Sequence, residues 1–238
     1  MKTSGFPFKM LLYISLFAIA MGFLETTVVV YLRALLYPNG FAFPLMSMPE
    51  SLAITEILRE ASTLIIIWSI GYIAGKNLNT RFAWFLYIFA IWDIFYYVFL
   101  KLLLNWPQSW LTWDILFLIP TTWVGPVITP IIVSISMIVL AILIIKANSN
   151  NSMVKIKSLE WILLILGSIT LIVSFIWEYS EFILDKYSLK QLWTVPTSTI
   201  SQYAQTYIPH KFNWFLFITG QFVIFIAIGL FWKRTRKG

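Results

Sequence analysis

Six stretches of this chain run for roughly the twenty residues an α-helix needs to cross the hydrocarbon core of a bilayer, with hardly a charge among them. Their limits fall at about 10–34, 53–74, 82–103, 125–145, 159–179 and 213–232, each to within a few residues. The expected fold is therefore all-α, a polytopic integral membrane bundle of six transmembrane helices. Chain length alone would allow one or two domains. Composition decides for a single transmembrane unit over 1–238, because only 11% of residues are charged, against about 25% in soluble domains.

The N-terminal run requires a choice. Lys2 and Lys9 precede "MLLYISLFAIAM", and Ala18-Ile19-Ala20 resembles a small-x-small cleavage site. Apolar residues continue through "GFLETTVVVYL", long enough to span, so the segment is expected to stay attached as an anchor.

Basic residues orient the spans. With the N-terminus in the cytoplasm, that side holds Lys2, Lys9, Lys76, Arg81, Lys146, Lys155, Lys157, Lys233, Arg234, Arg236 and Lys237, 11 of the 17. This satisfies the positive-inside rule with both termini cytoplasmic, as an even number of spans requires. The expected location is a bacterial inner membrane. The net charge of +7 does not point to nucleic acid, because the cations sit at the ends of apolar runs and not on one soluble face.

The acidic residues sort the other way. Of ten, only Glu160 falls on the cytoplasmic side. Glu25 and Asp93 lie about 15 Å inside the outer ends of spans one and three, and Glu60 about 10 Å inside span two, at 1.5 Å per residue. A carboxylate at the centre of a membrane helix costs roughly 2.5 to 3.5 kcal/mol on the insertion scale. Three helices carrying one at similar depth make the main functional signal of the chain.

Their neighbours extend it. Tyr96 and Tyr97 stand at i+3 and i+4 from Asp93, on its face, and are expected to orient it. In "TEILRE", Glu56, Arg59 and Glu60 share a broad face, and Arg59 reads as the only cation deep enough to pair with Glu25, Glu60 or Asp93. One guanidinium cannot neutralise three carboxylates, so a proton, an external cation or water is required. Snorkelling of Glu56 and Arg59 to the interface is the plainer alternative. A structural hydrogen-bond knot is the plainer alternative for Asp93. Ala18 and Gly22 form a small-xxx-small pair that favours close helix packing below Glu25. Asp114 completes the candidate residues, although with Glu178, Glu181 and His210 it reads as nearer the surface and solvated.

The outer segments carry the turn signals. Pro38-Asn39-Gly40, Pro44 and Pro49 punctuate 37–49. Between Trp110 and Lys146, Pro120, Pro126 and Pro130 break any single helix. The expectation is a short interfacial or re-entrant helix at about 110–119, anchored by tryptophans, with the 120–126 break lining a polar cavity. The segment 180–212 reads as a long outer loop whose Phe182, Ile183, Leu189 and Leu192 could lie along the membrane surface. "ANSNNS" at 147–152 reads as a cytoplasmic connector. "WDI" occurs at 92–94 and 113–115, too short to count as a repeat.

Several chemistries drop out. There is no cysteine and one histidine, His210, which excludes thiolate zinc, cysteine nucleophiles and multi-histidine metal sites within one chain. No nucleotide-binding glycine loop, H-E-x-x-H or G-x-S-x-G occurs. The sequence leaves any cofactor unknown, and an all-carboxylate site for a hard cation is possible but has no spacing signature here. The favoured reading is an acidic site in the outer half that binds a cation, a proton or a polar-headed lipophilic ligand, in transport or within a membrane complex. Two alternatives stay open: an enzyme acting on a lipid-linked substrate by carboxylate acid–base chemistry, and a non-catalytic subunit whose carboxylates meet a partner's cations. The partners so implied are the bilayer, a lipid-like or cationic ligand, and a further membrane subunit.

Overall fold

The computed structural model describes residues 6–46, 48–149 and 154–236. Lys2, Lys237 and positions 150–152 of the expected connector lie outside them. Six helices are long and apolar enough to cross a membrane: α1 (Phe8–Leu36), α2 (Glu50–Ala74), α3 (Leu78–Leu104), α4 (Ile128–Ala147), α5 (Ser158–Lys186) and, after two short helices, α8 (Trp214–Thr235). The surface they present is apolar, with Phe8, Leu35, Ile73, Leu102 and Phe215 all exposed. Such a surface is stable against lipid and not against water. The protein is a multi-pass integral membrane protein.

Local chemistry sets the helix limits. Pro49 precedes α2, and Glu50 in its first turn complements the helix dipole. Asn77 caps α3 by accepting from the Thr80 backbone N–H at 3.0 Å, while Thr80 Oγ1 accepts from the Asn77 N–H at 3.1 Å. Asn213 caps α8 in the same manner, from Leu216 N at 3.1 Å.

α3 is the most buried of the long helices and carries α1, α2 and α4 along its sides. α5 and α8 form a second tight pair, joined to the rest through α4 and through the hairpin described below. The pair is close because Gly167 and Gly220 face each other: a Cβ on Gly167 would stand 2.8 Å from Ile224 Cγ1 and 3.0 Å from the Gly220 carbonyl oxygen. At the basic end of the same pair Glu160 bonds to Arg234 at 2.8 Å.

Two expectations about the outer segments are corrected. No helix forms at 110–119. Trp113–Phe117 (β1) and Trp123–Pro126 (β2) form an antiparallel hairpin, with Asp114 opposite Gly125 and Ile115 opposite Val124. Tryptophan, isoleucine, phenylalanine and valine suit a pleated strand better than a helix, and Pro120 lacks the N–H that a continuing helix would need. The ladder runs on into the start of α4, where Val127 N donates to Thr112 O at 3.0 Å and Ile128 N to Trp110 O at 2.9 Å. The fourth span accordingly starts at Ile128, not 125, with Pro130 in its first turn, where a missing donor is harmless.

The loop expected at 180–212 is shorter. α5 continues to Lys186, so that Ile183 is buried on the helix and Phe182 stacks on Tyr203 at 4.4 Å. The remainder contains α6 (Gln191–Thr194) and α7 (Thr197–Ala204). Glu178 fastens it to α5 by accepting from His210 N at 2.6 Å, Lys211 N at 2.9 Å and the Tyr207 hydroxyl at 3.2 Å. Glu178 is thus an anchor and not a solvated surface acid.

Candidate functional site

α1 and α2 lie on α3 and hardly touch each other. The space between their outer halves, covered by residues 37–46, Met48, the hairpin and α7, is a cavity of about 390 Å³. Glu25, Glu56, Arg59, Glu60, Asp93, Tyr96 and Asp114 all line it. Tyr97, the eighth sequence candidate, stands just behind and donates its hydroxyl to Asp114 Oδ2 at 3.1 Å.

The close approach of α1 to α3 sets the depth of the floor. A Cβ on Gly22 would meet the Trp92 carbonyl oxygen at 3.0 Å and Phe95 Cβ at 3.1 Å, so glycine lets the backbones touch there. One turn on, the buried Thr26 hydroxyl reaches Gly22 O at 2.8 Å and Tyr96 O at 3.1 Å. Among the described residues none before Glu25 on α1, beyond Glu60 on α2 or before Trp92 on α3 lines the cavity, so its floor lies at this level.

Above that floor the charges separate into two committed clusters and two uncommitted acids. Arg59 grips Glu56 bidentately, Nε to Oε2 at 2.9 Å and Nη2 to Oε1 at 2.6 Å, and donates through Nη1 to Glu25 Oε2. Arg33 pairs with Asp114 Oδ1 at 3.4 Å, and its guanidinium lies 3.9 Å from the Trp106 ring centre and 4.5 Å from that of Phe41. Glu60 accepts the Leu118 backbone N–H on Oε2 at 3.0 Å. Asp93 accepts the Ser134 hydroxyl on Oδ2 at 2.8 Å. Among the described residues neither forms an ion pair.

Three expectations change. Arg59 is not the only deep cation, because Arg33 is 8% exposed and lines the same cavity. Asp114 is not near the surface: it is 2% exposed, and burial pushes its carboxyl up to about 7 against the pull of Arg33 and of the Tyr97 hydrogen bond. Asp93 is held by Ser134 of α4, and not by its own helix's tyrosines. A tyrosine hydroxyl stands far out on its ring and overshoots a short neighbour such as aspartate. That of Tyr97 lands on the hairpin. The two "WDI" copies, although no repeat, deliver both aspartates to one cavity, from a helix and from a strand.

No family model matches the chain, and it shows no significant similarity to a curated protein or a solved structure. The chemistry is read from the cavity itself. Five carboxylates and two guanidinium groups line it. Each guanidinium is engaged by a carboxylate, and the surplus is negative. Among the described residues no three acidic or histidine groups stand close enough together to hold one metal ion.

Sequence reasoning missed Arg33, Ser134 and Trp92. Arg33 sits in the last turn of α1, where a cation ordinarily complements the helix dipole. Its aromatic partners come from loops that no local pattern links to it. Ser134 and Trp92 carry no charge to betray their depth.

Proposed function

We propose that this membrane protein binds a small molecule bearing a positive charge in the cavity between α1, α2 and α3, as part of a transport process or a membrane complex. Glu60 and Asp93 carry the reading: both face the cavity without a cation while both guanidinium groups are occupied by other carboxylates. A buried carboxylate without a cation is costly, and a ligand that supplies the charge recovers that cost. By the positive-inside rule the basic end faces the cytoplasm, and the ligand would arrive from the outer side of a bacterial inner membrane. A cavity whose lining ends at Glu25, Glu60 and Trp92 favours capture and release on that side over passage through the bundle.

The test is thermal stability of the purified protein in a neutral detergent with methylammonium, sodium and acetate, each at several concentrations. A ligand that binds only the native state raises the melting point in proportion to the logarithm of its concentration above Kd. Methylammonium is expected to stabilise the wild type, and acetate to do nothing. Glu60→Gln and Asp93→Asn keep the shape and an acceptor for Leu118 N–H and Ser134, so each folds within about 1 kcal/mol of wild type and loses the response. An equal response in wild type and both variants would refute the reading.

A further inference from the structure

The same cavity says what kind of cation fits, on the assumption that it takes one at all. Its walls are amphipathic. Opposite the acids stand Val29, Leu32 and Leu36 of α1, Ile57 of α2, and Met46 and Met48 of the covering segment. A hydrated inorganic ion has no use for such a wall, and the acids are too far apart for three of them to share one ion. An ammonium group needs only one or two of them.

A second observation is the aromatic share of the lining. Phe41, Trp92, Tyr96 and Phe117 also line the cavity, and aromatic rings suit both an ammonium group and an alkyl chain.

The third observation is the route. α1 and α2 pack on α3 and hardly on one another, and they are the two least buried of the spanning helices, which leaves a seam between them as a route from the bilayer. Among the described residues, the Arg59–Glu25 pair is the polar contact that bridges it. Outward from that bridge the seam is lined by the apolar residues just named, so an alkyl chain can lie there while its head stays inside.

We infer that the ligand is a cationic amphiphile, a protonated amine with an apolar chain, which reaches the cavity from the membrane between α1 and α2. The ammonium donates to Asp93 and Glu60. The chain occupies the apolar wall.

Calorimetry on the full chain in lipid nanodiscs, with protein-free discs subtracted, tests this with ethanolamine, octylamine, 1-amino-2-octanol and octanoate. The expected result is that 1-amino-2-octanol binds at least tenfold more tightly than ethanolamine and that octanoate does not bind. Asp93→Asn weakens all three amines. If ethanolamine binds as tightly as the octyl compounds, the amphiphile is refuted and the cation reading stands. If sodium or methylammonium binds and none of the longer amines does, the same conclusion holds. If no cation of any kind binds, both fail. The comparison of ligands on the wild type decides between these without relying on any variant's folding.

Discussion

The two ends of the bundle use charge in opposite ways. At the basic end one acid meets one base: Glu160 caps the start of α5 through Lys157 N at 2.8 Å and pairs with Arg234 of α8 at 2.8 Å. Midway along the same two helices Gly167 and Gly220 let the backbones touch, and the polar contact at the basic end is matched. At the other end acids outnumber bases in the wall of a cavity, and α1 and α2 stand apart. A matched pair on closely packed helices is what fold stability alone would select. An unmatched surplus around open space is a cost that packing does not recover, and it marks the end where the chain's work is to be sought.

The sharpest way to break this contrast is to remove one guanidinium from each end. Arg59→Ala leaves Glu25 and Glu56 facing each other without a cation, and is expected to cost about 3–5 kcal/mol. It shows as loss of folded protein on gel filtration in detergent. Arg234→Ala strips one partner from Glu160 near the polar edge of the bundle, with an expected cost of about 2 kcal/mol. If the two losses are equal, the ends do not differ in the way described.

Packing gives the next largest effect. Gly220→Leu forces α5 and α8 apart where Leu171 N and the Gly167 carbonyl already stand 3.0 Å from a Cβ. About 1–3 kcal/mol is expected, read as a lower melting temperature. Ligand response at the far cavity is expected to persist in whatever fraction folds.

The smallest effect sharpens the acid end. Asp114 lies in β1, outside the spanning helices, and its carboxyl is raised by burial from the usual 3.8 to about 7. A carboxyl raised on folding binds its proton more tightly in the native state, so its contribution to stability is complete below about pH 4 and is lost as pH rises through about 7. The melting temperature of Asp114→Asn is therefore expected to fall less than that of wild type between those limits. Identical pH profiles would remove Asp114 from the account.

The spans were legible because twenty apolar residues leave a membrane chain little choice. Glu25, Glu60 and Asp93 were legible as outliers against that background, and Arg59 through its spacing from Glu56. What escaped depends on partners distant in sequence. The hairpin was hidden because Trp110, Trp113 and Trp123 look alike whether they ride an interfacial helix or flank a turn, and only the pairing of Asp114 with Gly125 decides. Arg33 was hidden because its burial under Trp106 and Phe41 is made by two loops closing over it. The resulting charge balance of the cavity, five acids to two bases, could not be counted until those loops were in place.

One consequence of the helix arrangement concerns motion. A rod braced along a single line can roll about that axis with little repacking. For α2 that line is its contact with α3. Rolling there would break the Arg59–Glu25 pair and the Leu118–Glu60 hydrogen bond and swing Glu56, Arg59 and Glu60 together as one row, while the α5–α8 half kept its shape. The part of the molecule richest in charge is thus also the part with the least to unpack.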